Sequence, residues 1–110
     1  MSLAPLFNAL GDPTRFAIVE RLLAEGEASA GALAEPFALS KPAISRHLRV
    51  LEDADLIERR IDGQYRKFRI RPEVLAAAAD WFDEARRFWS ASLDRLETHL
   101  DKRRKEGGHG

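Results

Sequence analysis

The hydrophobic period of this chain changes twice, and the two changes limit what it can fold into. Up to Asp53 the apolar residues recur at intervals of three and four, from Leu56 to Ile70 they alternate, and from Pro72 the helical spacing returns. The expected fold is mainly α with a small β-hairpin. Strands Leu56–Ile61 and Gln64–Ile70 are expected to join at Asp62–Gly63, a dipeptide suited to a tight turn.

Four helices are expected before the hairpin. Leu3, Leu6, Phe7 and Leu10 share one face of a short helix, which Gly11 ends as a C-terminal glycine would. Asp12 as cap and Pro13 in the first turn open a second helix through about Glu25, with Ile18, Val19, Leu22 and Leu23 as its buried face and Gly26 near its end. Ser29 is the expected cap of a third, from Ala30 to about Phe37, on which Leu33, Ala34 and Phe37 repeat. In the fourth, about residues 41–54, Ser40 caps, Pro42 fits the first turn, and Ile44, Leu48 and Leu51 form a narrow apolar stripe. Lys41, Ser45 and Arg49 line up on its other face with Arg46 beside them, so one side packs while cations and a hydroxyl project outward. Asp55 fits the left-handed position after this helix.

The last helix is expected over about 72–103, some 30 residues or roughly 45 Å, which is long for so small a body. Leu75, Ala78, Phe82, Ala85, Trp89, Ser92 and Leu96 follow alternating spacings of three and four, continued by His99 or Leu100 and widened by Val74, Trp81 and Phe88. An isolated copy would expose a large aromatic patch, so a dimer built on this helix is expected. Its interface is assigned to Leu3, Leu6, Phe7, Leu75, Phe82, Phe88, Trp89, Leu93 and Leu96.

With 110 residues, 45% of them hydrophobic, the chain suffices for one core, and a single domain over 1–104 with a flexible tail at 105–110 is expected. Lys and Arg balance Asp and Glu at 18 each. The balance hides a polarity along the chain: residues 1–39 carry 2 basic and 5 acidic groups, 40–71 carry 9 and 5, and 72–110 carry 7 and 8. A positive middle suits a surface that meets phosphates, although on charge alone a solvated face is the plainer explanation of such a run. Cysteine is absent, which removes disulfides, thiolate metal sites and cysteine nucleophiles. With three scattered His and no Gly-rich phosphate loop, no enzyme site can be drawn. No stretch approaches a membrane span, and Met1–Phe7 lacks a basic n-region and a long apolar h-region, so a cytoplasmic protein without membrane contact is expected.

The order of elements is that of a winged helix-turn-helix with a long C-terminal dimerisation helix, the wing lying at about 56–70. Asn8-Ala-Leu-Gly-Asp-Pro-Thr-Arg15, Leu33-Ala-Glu35 and Ser40-Lys-Pro-Ala-Ile-Ser-Arg-His-Leu-Arg-Val-Leu51 resemble the arsenic-repressor-type (ArsR) bacterial transcriptional repressors, across residues 3 to about 71. The resemblance implies a homodimer that binds a palindromic double-stranded operator and represses transcription until a signal releases it.

Residues and resemblance agree that the fourth helix enters the major groove. The DNA-binding candidates there are Ser40, Lys41, Ser45, Arg46, His47 and Arg49. Arg46 and Arg49 suit bidentate contact with guanine, and Ser45 suits a phosphate or a base edge. His47 lies between the apolar stripe and the basic face, where a packed imidazole and a phosphate contact are both open. In the wing, Arg60, Gly63, Gln64, Tyr65 and Arg66 are placed to reach the minor groove or backbone, whereas Arg59 and Arg69 fit simple solvation of the strands. Arg15 matches the family's early-helix arginine, for which a structural salt bridge is the plainer role.

The chain departs from the metal sensors of that family. Glu27-Ala-Ser-Ala-Gly-Ala-Leu33 offers no thiolate where arsenic sensors carry Cys-x-Cys, and only Asp94, Glu97, His99 and Asp101 are available for zinc on the last helix. No metal or cofactor is expected. Trp81-Phe-Asp-Glu-Ala-Arg-Arg-Phe-Trp89 and Leu93-Asp-Arg-Leu-Glu97 are similar to a metal-independent subgroup, which leaves an organic ligand, a protein partner or expression level open as the signal. The rival reading is a winged helix that serves only protein interaction or dimerisation, without specific DNA binding.

Overall fold

A computed structural model describes residues 3–107. In chain order it contains α1 (Ala4–Leu10), α2 (Pro13–Glu25), β1 (Glu27–Ser29), α3 (Ala30–Ala34) running into a single 3₁₀ turn (Glu35–Phe37), α4 (Lys41–Asp53), β2 (Ile57–Asp62), β3 (Tyr65–Ile70) and α5 (Pro72–Gly107). Within the span read above as one domain, the chain divides into two units, one ending at Ala77 and one beginning at Ala78.

The helix starts of the first unit are set by short side chains. Asp12 accepts from the Arg15 backbone N–H at 3.0 Å, Ser29 from Ala32 at 3.2 Å and Ser40 from Ala43 at 3.3 Å, each satisfying a donor that the first turn leaves without a partner. The end of α4 is equally specific. Asp55 takes a left-handed φ of 58°, its N–H donates to Glu52 O, and the Leu56 N–H donates to Leu51 O at 3.1 Å. This is a Schellman closure with Asp in place of Gly, and Leu51 and Leu56, the pair it brings together, are both buried.

Ile18, Leu22, Leu33, Leu51 and Ile57 are fully buried at the centre of this unit, with Ile44, Leu48, Phe68 and Ile70 around them. The sheet has the order β1-β3-β2 and is antiparallel throughout. Three of its details depart from expectation. Strand β1 precedes α3 where no strand was expected, because three residues are too few to show a period. The turn is displaced by one residue: Asp62 pairs with Tyr65, so Gly63–Gln64 form the loop, with Gly63 at φ 63° in the first loop position as a II′ hairpin requires. The strand expected to start at Leu56 starts at Ile57, since Leu56 belongs to the closure of α4.

The helices also hold corrections. Gly11 ends α1 in right-handed conformation at φ −71°, not as a left-handed cap, and an added Cβ would lie 3.2 Å from Asn8 O. Leu23, expected in the core, is 55% exposed, because Ile18, Val19 and Leu22 already fill the inward arc of α2. Leu6, assigned to a dimer interface, is only 5% exposed and belongs to the core of its own chain, as does Val74, expected to widen the last helix's stripe. Helix α5 continues to Gly107, past the expected end near Arg103 and into the segment read as a tail; residues 108–110, including His109, lie outside the described residues.

The second unit consists of α5 from Ala78 onward. Trp81, Phe82, Phe88, Trp89, Leu93 and Leu96 are all exposed on it, with Phe88 and Trp89 above 60%. Trp81 meets Phe82 edge-to-face with ring centroids 5.2 Å apart, and Phe88 meets Trp89 likewise at 5.6 Å, so the rings are mutually ordered while open to solvent.

Burial separates two leucines of the first unit. Leu51→Ala is expected to lower stability by about 2–5 kcal/mol, while Leu23→Ala changes it by no more than about 0.5 kcal/mol. Urea denaturation followed by circular dichroism checks both.

Candidate nucleic-acid interface

Helix α4 is amphipathic by construction. Its buried residues Ile44, Leu48 and Leu51 fix its rotation about its own axis, and this leaves Lys41, Ser45, Arg46 and Arg49 exposed on the far side. Ser40 is exposed at its start, with its oxygen occupied in capping. Beside that start, Ala30, Gly31 and Ala34 of α3 and Lys41, Ile44 and Ser45 of α4 border a small depression of about 170 Å³.

The hairpin divides its side chains between two faces according to register. Residues directly opposite one another share a face, so Ile57, Arg59 and Ile61 of β2 lie with Ile70, Phe68 and Arg66 of β3 on the core side. Glu58, Arg60 and Asp62 lie with Arg69, Lys67 and Tyr65 on the other. Towards the tip the core side runs out of body to cover: Phe68 is buried, whereas Ile61 is 72% exposed and Arg66 is exposed beside it.

Charge pairing follows the same division. On the outer face, Arg69 Nε donates to Glu58 at 2.5 Å, Lys67 Nζ stands 3.6 Å from Glu27 and 3.7 Å from Asp62, and Arg60 reaches Glu27 at 4.0 Å. On the core side, Arg59 pairs with Glu52 of α4 at 3.0 Å and lies over the Phe68 ring. Arg59 and Arg69, expected only to solvate the strands, are thus held by carboxylates. Lys41, Arg46, Arg49 and Arg66 have no acidic partner among the described residues. Glu27, which holds two of the outer cations, lies on the strand that sequence reasoning missed; its acidity is visible in the sequence, its location is not.

Of the remaining wing candidates, Gly63, Gln64 and Tyr65 are exposed at the tip. His47 is half-buried, its Nδ1 3.5 Å from Arg15 Nη1 and 3.9 Å from Asp12 Oδ2, so this nitrogen is turned towards α2 and not towards the exposed face of α4. Arg15 also donates from Nε to the Ala9 carbonyl at 2.7 Å. The Asp-Pro-Thr-Arg run therefore ties the end of α1, the start of α2 and the middle of α4 together, which no spacing rule indicates. The Arg15 backbone N–H holds the Asp12 carboxyl below its ordinary 3.8; partial desolvation opposes this, and the charges of Arg15 and His47 reinforce it.

Among the described residues no group of three His, Cys, Asp or Glu is placed to hold a metal ion, and Asp94, Glu97, His99 and Asp101 do not form one. No described helix is long and apolar enough to cross a membrane.

A helix-turn-helix domain family matches residues 10–60. The chain is 44% identical over 87 residues to the HTH-type transcriptional regulator Rv2034 of Mycobacterium tuberculosis, covering 79% of this chain and 78% of that one. It is 40% identical over 76 residues to the transcriptional repressor SdpR of Bacillus subtilis, covering 69% and 83%. Among solved structures it is similar to an ArsR-like transcriptional regulator from Rhodococcus sp. RHA1, with a TM-score of 0.70 at 29% identity over 87% of this chain and 90% of the other.

Because Asp12 has a depressed folded-state pKa, the stability its charge contributes is complete above 3.8 and is lost as pH falls through the lower folded value. The gap in urea midpoint between the parent chain and Asp12→Ala is therefore expected to narrow as pH falls below about 4. A gap that stays constant or widens below about pH 4 contradicts this assignment.

Proposed function

This chain belongs to the ArsR family of winged helix-turn-helix, DNA-binding transcriptional regulators, and from that premise we propose that it acts as a homodimeric repressor on a palindromic operator. The observation that carries the reading is the selective absence of neutralisation: among the described residues Lys41, Arg46, Arg49 and Arg66 are left without carboxylates while the neighbouring cations of the hairpin are paired. An unpaired guanidinium keeps its full charge and its forked donors for phosphate or guanine. In this reading α4 lies in the major groove, with Lys41, Ser45, Arg46 and Arg49 towards the DNA and Ser40 at the entry. The wing approaches the adjacent minor groove with Arg66 and the Gly63–Gln64–Tyr65 tip, Arg60 contributing less because Glu27 is near it. His47 acts through its contacts with α2.

The exposed aromatic face of α5 supports a two-fold dimer in which Phe82, Phe88, Trp89, Leu93 and Leu96 pack against a second copy, with Leu75, Leu3 and Phe7 as further candidates and Leu6 excluded by its burial. Two-fold symmetry then demands two half-sites about one helical turn apart. The protein works in the cytoplasm by binding alone, with no catalysis, and with no cysteine its signal is not a thiolate-bound metal.

A fluorescence-anisotropy titration of the upstream DNA against a scrambled duplex, in rising salt, tests the reading. Specific binding in the range of about 10⁻⁸ to 10⁻¹¹ M is expected, and Arg46→Glu abolishes it while light scattering still finds the dimer. If Arg49 or Arg66 contacts phosphate, its alanine variant lowers the log–log salt slope by about two, one contact from each copy. Affinity unchanged by Arg46→Glu overturns the assignment of the basic face of α4, and equal, weak binding to both duplexes leaves instead an interaction module without readout.

The second expectation concerns assembly. Trp89→Asp places a charge in the apolar seam and is expected to yield monomers at micromolar concentration; a persistent dimer assigns the interface elsewhere.

A further inference from the structure

The aromatic face of the second unit is not uniformly apolar. Trp81, Glu84, Ala85, Phe88 and Trp89 line a shallow notch of about 340 Å³, with the small Ala85 between larger aromatic rings and the Glu84 carboxylate in the lining. On the helix, Ala85 and Trp89 belong to the stripe at spacings of three and four, whereas Trp81, Glu84 and Phe88 lie one step round from it. The notch is thus continuous with the proposed seam but off its centre. In the proposed dimer the second copy meets Phe88 and Trp89 from the stripe side, which leaves Trp81 and Glu84 at the border of the seam.

The charges around Glu84 sharpen its chemistry. Arg86 is directed to the Asp83 carboxylate at 3.7 Å, and Arg87 donates from Nε to the Asp83 carbonyl at 3.4 Å. Among the described residues Glu84 has no cationic partner, and Asp80, one turn earlier, adds a like charge. A carboxylate lining the same notch as two indoles and a phenyl ring presents two attractions for the same kind of guest. The ring quadrupoles favour a cation, and the carboxylate supplies its counter-charge. A lysine-type ammonium holds its water strongly. A quaternary ammonium cannot donate hydrogen bonds and gives up weakly held water to apolar walls, so it fits this lining better.

We infer that the notch at Trp81, Glu84, Ala85, Phe88 and Trp89 is a binding site for an organic cation of the quaternary-ammonium class, held at the edge of the dimer seam. The inference rests on the dimer proposed above, because the partner's helix supplies the wall that a single helix face lacks. It gives this regulator a ligand of defined chemistry, read at a surface separate from α4 and the wing.

Both tryptophans of the chain line the notch, so their fluorescence reports on it, and because Trp89 also lies in the proposed seam the oligomeric state is followed in the same samples. The full chain is titrated with benzyltrimethylammonium, with benzyl alcohol as the neutral comparison, and the same samples are checked by light scattering and by anisotropy on operator DNA. Saturable quenching by the cation is expected. Glu84→Gln is expected to weaken it by about tenfold with DNA affinity unchanged, and benzyl alcohol to bind more weakly than the cation. A dimer that binds DNA yet shows no saturable quenching overturns the site, the partner's own side chains then filling the notch. Equal quenching in the parent chain and Glu84→Gln overturns the cation assignment. A monomer in light scattering overturns the dimer and the site together.

Discussion

The burial of Ile44, Leu48 and Leu51 on one side of α4 is the constraint from which the rest of the first unit follows. A helix of 13 residues has one freedom that its hydrogen bonds do not set, its rotation about its own axis, and these three side chains remove it. Ser40 sets where the helix begins and the Schellman closure through Asp55 and Leu56 sets where it ends. A basic face whose angle, start and end are all fixed by buried groups can meet a rigid duplex without reorganising, so little binding energy is lost in ordering it.

Electrostatics then selects within the basic segment. Counting Lys and Arg over 40–71 gives a positive patch but does not say which charges are available. Strand register decides that: Glu58 and Asp62 alternate onto the outer face, Glu27 arrives from β1 to join them, and Glu52 of α4 takes Arg59. The outer face of the wing is close to neutral, and positive potential is concentrated on α4 and on the tip's core-side edge. Exposed ion pairs of this kind add little stability; in the proposed complex with DNA their effect is to remove competitors for the phosphates.

Much of this was legible from residue types. The three caps Asp12, Ser29 and Ser40, the stripe of α4, the left-handed Asp55 and the presence of a hairpin all follow from local rules, because each depends on residues within one turn of itself. What was not legible depends on partners distant in sequence. Leu6 and Leu23 are both leucines at helical spacing, and only the completed core decides that the first is covered and the second is not. Strand β1 exists because β3 is there to pair with it, and the displaced hairpin turn reflects a register fixed by Phe68 and Ile70 on the core and not by the Asp-Gly dipeptide. The site was legible as a set of candidates on α4 and the wing. Its division into paired and unpaired cations was not, since pairing is a property of three dimensions.

The register of β3 also governs how the length of the wing can vary between relatives. An extra residue in the Gly63–Gln64 loop lengthens the tip and leaves everything beyond it in phase. The same residue added between Arg66 and Phe68 would rotate Arg66 by half a period, onto the face where Glu58, Glu27 and Asp62 stand, and silence it without altering a single contact on α4. Two insertions a few positions apart, alike in an alignment, are therefore opposite in effect: one is a change of reach, the other a loss of charge.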